Sequence, residues 1–176
     1  VIVTKTKLPG VVIIEPTIHG DNRGFFLESF HAERYKQEAG IDLPFVQDNQ
    51  SRSGKGVLRG LHYQVKKPQG KLVRVTRGEV FDVAVDINPN STTYTKWVGV
   101  NLSEDNHLQF YVPPGYAHGF LVLSDFADFS YKCTDYYDPK DEGGVRWDDP
   151  KINISWPKTN PTVSDKDKQL PTVDLL

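Results

Sequence analysis

Lys71-Leu72-Val73-Arg74-Val75-Thr76-Arg77-Gly78-Glu79-Val80-Phe81-Asp82-Val83-Ala84-Val85-Asp86-Ile87 is the stretch whose reading decides the fold class. Two β-branched runs, Lys71–Thr76 and Glu79–Ile87, flank Arg77-Gly78, a composition that favours a turn. In the second run, alternation puts Phe81, Val83, Val85 and Ile87 on one side and Val80, Asp82, Ala84 and Asp86 on the other. Two acids on one face of so apolar a strand fit a wet interior that holds a ligand; an exposed sheet face fits them equally well. The same texture continues outward in both directions. Further strands are predicted at Val11–Glu15, Gly24–Phe30, Phe45–Ser51, Val57–Gln64, Trp97–Leu102, Leu108–Val112, Gly119–Leu123 and Asp128–Thr134. Pro68-Gln69-Gly70, Asn88-Pro89-Asn90, Glu104-Asp105-Asn106 and Pro113-Pro114-Gly115 supply the turns between them. Only His31–Ala39 reads as a helix, with Gly40 where a left-handed C-terminal residue belongs. Many short strands with few helices predict an all-β sandwich or jelly roll.

At 176 residues the chain suits one domain over residues 1–176. From Lys158 the sequence turns polar, yet Leu170, Val173 and Leu175 offer anchors, so residues 158–176 read as a C-terminal arm. A net charge of −2 without a basic run gives no reason to expect nucleic acid. No segment is apolar for the length of a membrane span, and no basic-then-apolar leader opens the chain, so a cytoplasmic location is the expectation. The single Cys133 excludes an internal disulfide framework and a multi-cysteine metal site, and reads as a buried small hydrophobe.

Three islands carry the chemistry: Arg59-Gly60-Leu61-His62, Pro113-Pro114-Gly115-Tyr116-Ala117-His118-Gly119-Phe120 and Ser164-Asp165-Lys166-Asp167. Two strand histidines with a tail acid behind one of them have the parts of a proton-transfer site. Arg59 suits a phosphate or carboxylate. Alternation places Arg59 and His62 on opposite faces; either Gly60 hosts a bulge that turns both inward, or one of them serves an adjoining surface. Tyr131 shares a face with Phe129 and Cys133, as a core residue or as a phenol that donates a proton into a wet cavity. Lys71, at the start of its strand, is a solvated edge charge or a stabiliser of an enolate oxygen. His118 sits in a sequence that resembles the second cupin motif, which raises a metal site. The matching first motif reads His62-Tyr63-Gln64, without the His-x-His pair or the acid, so no metal is expected.

These motifs in this order resemble the dTDP-4-dehydrorhamnose 3,5-epimerase family. The likeness runs from Asp21-Asn22-Arg23-Gly24-Phe25-Phe26-Leu27-Glu28 through Gln47-Asp48-Asn49-Gln50-Ser51 and Leu58–Gln64 to Tyr136-Tyr137-Asp138-Pro139 and Arg146-Trp147-Asp148-Asp149-Pro150. The resemblance implies a cupin-type jelly roll. It implies that His62 removes protons from C3 and C5 of dTDP-4-keto-6-deoxyglucose, that Asp167 orients His62, that Tyr131 returns a proton on the opposite face, and that Lys71 steadies the enolate. It further implies substrate contacts from Arg23, Phe26, Glu28, Gln47, Asp48, Asn49, Arg59, Lys71, His118, Glu142 and Lys166. A homodimer is implied as well, with Arg23–Glu28 crossing to the partner's site, and no cofactor. The rival readings are an epimerase of C3 or C5 alone, a metal-dependent cupin enzyme, and a non-catalytic nucleotide-sugar-binding module.

Overall fold

A computed structural model describes residues 1–176. Its strands are β1 (Ile2–Lys5), β2 (Val12–Glu15), β3 (Ile18–Asp21), β4 (Gly24–Leu27), β5 (Gln47–Gly54), β6 (Leu58–Gln64), β7 (Lys71–Arg77), β8 (Glu79–Asp86), β9 (Trp97–Ser103), β10 (Gln109–Val112), β11 (Tyr116–Val122), β12 (Phe126–Cys133) and β13 (Glu142–Gly144). Two short helices, α1 (Ala32–Ala39) and α2 (Asp165–Lys168), and a 3-10 turn at Val173–Leu175 complete the set. The strands form a six-stranded sheet in the order β1-β2-β10-β7-β12-β5 and a five-stranded sheet in the order β13-β6-β11-β8-β9. The hairpin β3-β4 belongs to neither. This all-antiparallel sandwich is the jelly roll that the strand texture predicts.

Alternation builds the core between the sheets. Val73, Val75, Phe110, Phe129 and Ala127 from the first sheet meet Val80, Ala84, Val100, Leu102 and Phe120 from the second. Each of the valine, leucine and phenylalanine side chains among them stabilises the fold by about 1.5–3 kcal/mol when fully buried. The other face of β8 is covered too: Val83 and Val85 pack with Leu61 of β6 and with Val145, Ile152 and Val173 from the C-terminal third. Neither face of β8 is therefore an exposed sheet face. Asp82 and Asp86 are both buried, on the inner side. Asp86 is satisfied locally, accepting from Ser91 Oγ at 2.5 Å, Thr93 Oγ1 at 2.6 Å and the Asn88 N–H at 3.0 Å. Only Asp82 is turned to the site described below.

Helix α1 starts one residue later than its pattern predicts, because His31 is its cap: Nδ1 accepts from the Arg34 N–H at 3.3 Å. Gly40 ends it with φ 71°, and its N–H reaches the Lys36 carbonyl at 3.2 Å. Tyr35 anchors the helix on the outside of the six-stranded sheet, its hydroxyl donating to Gln109 Oε1 at 2.8 Å. The strand predicted over Gly24–Phe30 stops at Leu27. Beyond it Glu28 pairs with Arg34, and the Ser29 carbonyl accepts from Gln109 Nε2 at 2.7 Å.

The C-terminal segment runs back over the five-stranded sheet. Thr162 forms a parallel bridge with Val57, through the Leu58 N–H to the Thr162 carbonyl at 2.9 Å and the Thr162 N–H to the Gly56 carbonyl at 2.8 Å. The Val173 N–H donates to Asp149 Oδ2 at 2.7 Å, and Leu170 packs over Gly144. Leu175, proposed as an anchor, is instead 76% exposed; the 3-10 turn buries Val173 and turns Leu175 outward. No helix is long and apolar enough to cross a membrane.

Candidate active site

A cavity of about 760 Å³ opens between the sheets, within the range of small-molecule sites. The five-stranded sheet brings Arg59, His62 and His118 to it, the six-stranded sheet brings Gln47, Asn49, Lys71 and Tyr131, and the arm brings Lys166 and Asp167. His62 and His118 are direct cross-strand partners on β6 and β11. Two residues on, the register slips: Phe120 pairs with Arg59, so Gly119 alone faces both Gly60 and Leu61. This bulge answers the alternation problem, turning Arg59 and His62 into the same cavity. Gly60 is required there. Its φ is 118°, and a Cβ would stand 2.7 Å from the His118 carbonyl oxygen and 2.8 Å from the Gly119 Cα.

The bulge also recruits the arm. Asp167 Oδ1 lies 2.6 Å from His62 Nε2, while its Oδ2 accepts the Gly60 N–H at 3.1 Å. Ser164 caps the short turn that carries Asp167, accepting the Asp167 N–H at 3.1 Å. Burial alone raises the Asp167 carboxyl, but the His62 hydrogen bond and charge, the Gly60 N–H and Lys166 outweigh it and hold it below the ordinary value. A carboxylate at Nε2 fixes the proton there and leaves His62 Nδ1, which makes no hydrogen bond within the protein, as the basic nitrogen.

Glu142 is the second acid near His62, with Oε1 3.7 Å from Nε2. Its Oε2 accepts from Lys166 Nζ at 3.0 Å and from the Tyr137 hydroxyl. That hydrogen bond is the main cause that lifts the Tyr137 phenol to about 12. The latch joins β13, the Tyr136-Tyr137 turn and the arm, and no spacing in the sequence announces it. His118 has its own carboxylate: Nε2 is 2.8 and 3.0 Å from the two Asp82 oxygens. Burial pushes the Asp82 carboxyl up, against the opposing effects of His118 and Lys71. Alternation along β8 put Asp82 on one face with Asp86, interior or exposed, and gave no sign of its partner His118.

On the facing sheet, burial raises the Tyr131 phenol above its ordinary value, with Cys133 adding to the rise and Asn49 and Arg59 countering it. Burial lowers the Lys71 ammonium, with Cys133, Asp82 and Glu142 pulling it back. Lys71 Nζ stands 5.9 Å from the centre of the Tyr131 ring. Cys133 is buried and accepts from Asn49 Nδ2 at 3.7 Å. Arg59 is held by Nε donating to Ser53 Oγ at 3.0 Å, which leaves both terminal nitrogens of its fork unpaired. A cavity with two unpaired cations, a braced histidine and a protonated phenol suits an anionic ligand with a carbon acid.

Four of the predicted contact residues lie elsewhere in this chain. Asp48 points to the outer side of β5 and pairs with Lys132 at 3.1 Å. Arg23 is tied to Asp21 at 2.5 Å, Glu28 to Arg34, and Phe26 is 69% exposed on the free hairpin. No three His, Cys, Asp or Glu side chains stand together as a metal site.

Residues 5–174 match the family described as dTDP-4-dehydrorhamnose 3,5-epimerase. The Escherichia coli dTDP-4-dehydrorhamnose 3,5-epimerase is 53% identical over 99% of this chain and 95% of its own length. A Legionella pneumophila dTDP-6-deoxy-D-glucose-3,5-epimerase solved with dTDP-4-keto-L-rhamnose superposes with a TM-score of 0.96 at 54% identity, covering 99% of this chain and 93% of that one. A 3′-monoepimerase from Streptomyces bikiniensis, solved with dTDP-quinovose, gives a TM-score of 0.90 at 36% identity over 96% and 86% of the two chains.

Proposed function

The chain belongs to the dTDP-4-dehydrorhamnose 3,5-epimerase family, and on that premise we propose that it inverts C3 and C5 of dTDP-4-keto-6-deoxyglucose by proton transfer alone. The observation that carries the mechanism is the His62–Asp167 pair at 2.6 Å, facing Tyr131 across one cavity. Protons on C3 and C5 are acidic because the C4 carbonyl takes up the electron pair as an enolate. His62 Nδ1 removes the proton, and the carboxylate at Nε2 stabilises the imidazolium that results. Lys71 offers a hydrogen bond to the charge that develops on the C4 oxygen, and His118 lines the same cavity. Tyr131 comes from the opposite sheet and returns a proton to the other face of the same carbon, which inverts it. Only protons move, so the reading needs no cofactor.

Arg59, with its free fork, suits the diphosphate. Gln47, Asn49, Glu142 and Lys166 line the same cavity and complete the contacts. Arg23, Phe26 and Glu28 act, in this reading, on the partner subunit of a homodimer. What supports this is a hairpin outside both sheets with Phe25 and Phe26 63% and 69% exposed; side chains of that size on an isolated hairpin mark a surface that pairs. Asp48 lies on the far side of β5 and keeps no assigned contact.

The test is NMR of dTDP-4-keto-6-deoxyglucose incubated with the protein in deuterium oxide. Deuterium and inverted configuration at both C3 and C5 are expected. Inversion at one carbon only would reassign the chain to a single-centre epimerase, a reaction the same acid and base would serve.

A further inference from the structure

Ser51 is the one residue whose side-chain oxygen or nitrogen is buried without a hydrogen-bond partner. An unpaired buried hydroxyl costs stability, so its persistence calls for a reason. It lies in the wall of the substrate cavity. Along β5 the inward positions are Gln47, Asn49, Ser51 and Ser53. Their neighbours fix where each stands. Gln47 Oε1 accepts the Tyr137 N–H at 3.0 Å, Asn49 is paired across the sheet with Tyr131, Ser51 with Phe129, and Ser53 Oγ holds Arg59 Nε at 3.0 Å. Ser51 is thus the step between the proton-donating phenol and the anchored guanidinium. The apolar ring of Phe129, stacked on Phe120 at 4.1 Å, offers its hydroxyl nothing to bond.

We propose that Ser51 is a further substrate-holding residue, whose hydroxyl donates a hydrogen bond to a diphosphate oxygen of the ligand held by Arg59. The inference rests on the nucleotide-sugar reading above and adds to it a contact which that reading does not assign. A hydroxyl turns between staggered positions about Cα–Cβ, so a shift of one rotamer carries Oγ from its sheltered place toward the cavity. In the free protein the hydroxyl has no hydrogen-bond partner among the protein's own groups; in the complex it meets a charged acceptor, the stronger kind of partner. Ser51 thereby gives up stability in the free state and contributes to binding. This combination separates a ligand contact from a structural hydrogen bond, which would stabilise both states.

The experiment is calorimetric titration of the unmodified protein and of Ser51→Ala with dTDP and with thymidine, together with thermal melting of both proteins without ligand. Ser51→Ala is expected to bind dTDP roughly tenfold more weakly and thymidine equally well, and to melt no lower than the unmodified protein. With the sugar nucleotide its KM rises while kcat holds, and Ser51→Thr, which keeps the hydroxyl, restores dTDP affinity. Equal dTDP affinity in Ser51→Ala, equal losses for dTDP and thymidine, or a lower melting temperature would each overturn the role of Ser51 while leaving the nucleotide reading intact. An unmodified protein that binds no dTDP would overturn that reading, and this inference with it.

Discussion

Asp167→Asn keeps the size of the side chain and changes which of its atoms accept. In the unmodified protein one carboxylate oxygen faces His62 Nε2 at 2.6 Å and the other accepts the Gly60 N–H at 3.1 Å. The Gly60 N–H can only donate, so it claims the single oxygen of an asparagine. The amide NH₂ is then left against His62 Nε2, which must accept, and the imidazole proton moves to Nδ1. That is the atom assigned to receive the substrate proton. The variant therefore loses the base and, with it, the charge that stabilises the imidazolium. A general acid–base contribution is worth about 10²–10⁴-fold, and a histidine forced into the wrong tautomer in a Ser-His-Asp hydrolase loses about 10⁴. The upper end, about 10⁴-fold in kcat, is the expected loss. Steady-state turnover and deuterium wash-in measure it, and dTDP titration should show unchanged affinity. There is a stability signature as well. Asp167 titrates below its ordinary 3.8 in the folded protein, so the pair's stabilisation is complete above that value and disappears as pH falls through the lower folded one. The variant lacks this acid-sensitive part. A kcat loss under tenfold, or a loss confined to KM, would refute the tautomer argument.

Tyr131→Phe retains the ring and its packing and removes only the hydroxyl. Deuterium should still enter C3 and C5 with retained configuration while net inversion falls sharply; full-rate inversion would make Tyr137 or a water the acid. Burial holds the Lys71 ammonium below its ordinary 10.5 and the Tyr131 phenol above its ordinary 10.0, so as pH rises Lys71 gives up its proton earlier than a free lysine and Tyr131 later than a free phenol. Lys71→Arg, whose cation does not titrate, should move the alkaline limb of kcat/KM upward, and an unmoved limb would assign it to another group. Arg23→Ala and His62→Asn subunits, each inactive alone, should recover part of the activity when unfolded and refolded together, because one site of the mixed dimer then draws both intact residues. Mixtures that stay inactive would count against hairpin exchange.

The fold was legible where alternation and turn chemistry agree, as in Lys71–Ile87, and less so where pairing alone makes the strand. Glu142-Gly143-Gly144 has the composition of a turn, and becomes β13 only by lying along Tyr63 and its neighbours on β6. Ile2–Lys5 likewise depends on β2 for its existence. The polar Asp165–Lys168 turn carries no apolar period, and its order comes from the Ser164 cap and from Asp167 reaching Gly60 and His62. In the site, His62, His118, Lys71 and Tyr131 were visible as residue types in fitting places, Asp167 stood out only through the family resemblance, and the cavity gathers all five. Their partners were not visible. Asp82 beneath His118, the Glu142–Lys166–Tyr137 latch and the unpaired Ser51 arise from contacts between strands far apart in sequence, which no local spacing encodes. The bulge at Gly60 lies between these cases: the glycine marked it, and only the slipped register on β11 showed that both Arg59 and His62 turn inward.

The central claim is that His62 is the base for both carbons, and His62→Asn tests it most directly. The variant would be incubated with dTDP-4-keto-6-deoxyglucose in deuterium oxide and followed by NMR, with dTDP titration as the check on an intact cavity. The account predicts dTDP affinity like that of the unmodified protein and no deuterium at C3 or C5. Exchange at either carbon at a rate close to the unmodified protein's would contradict it.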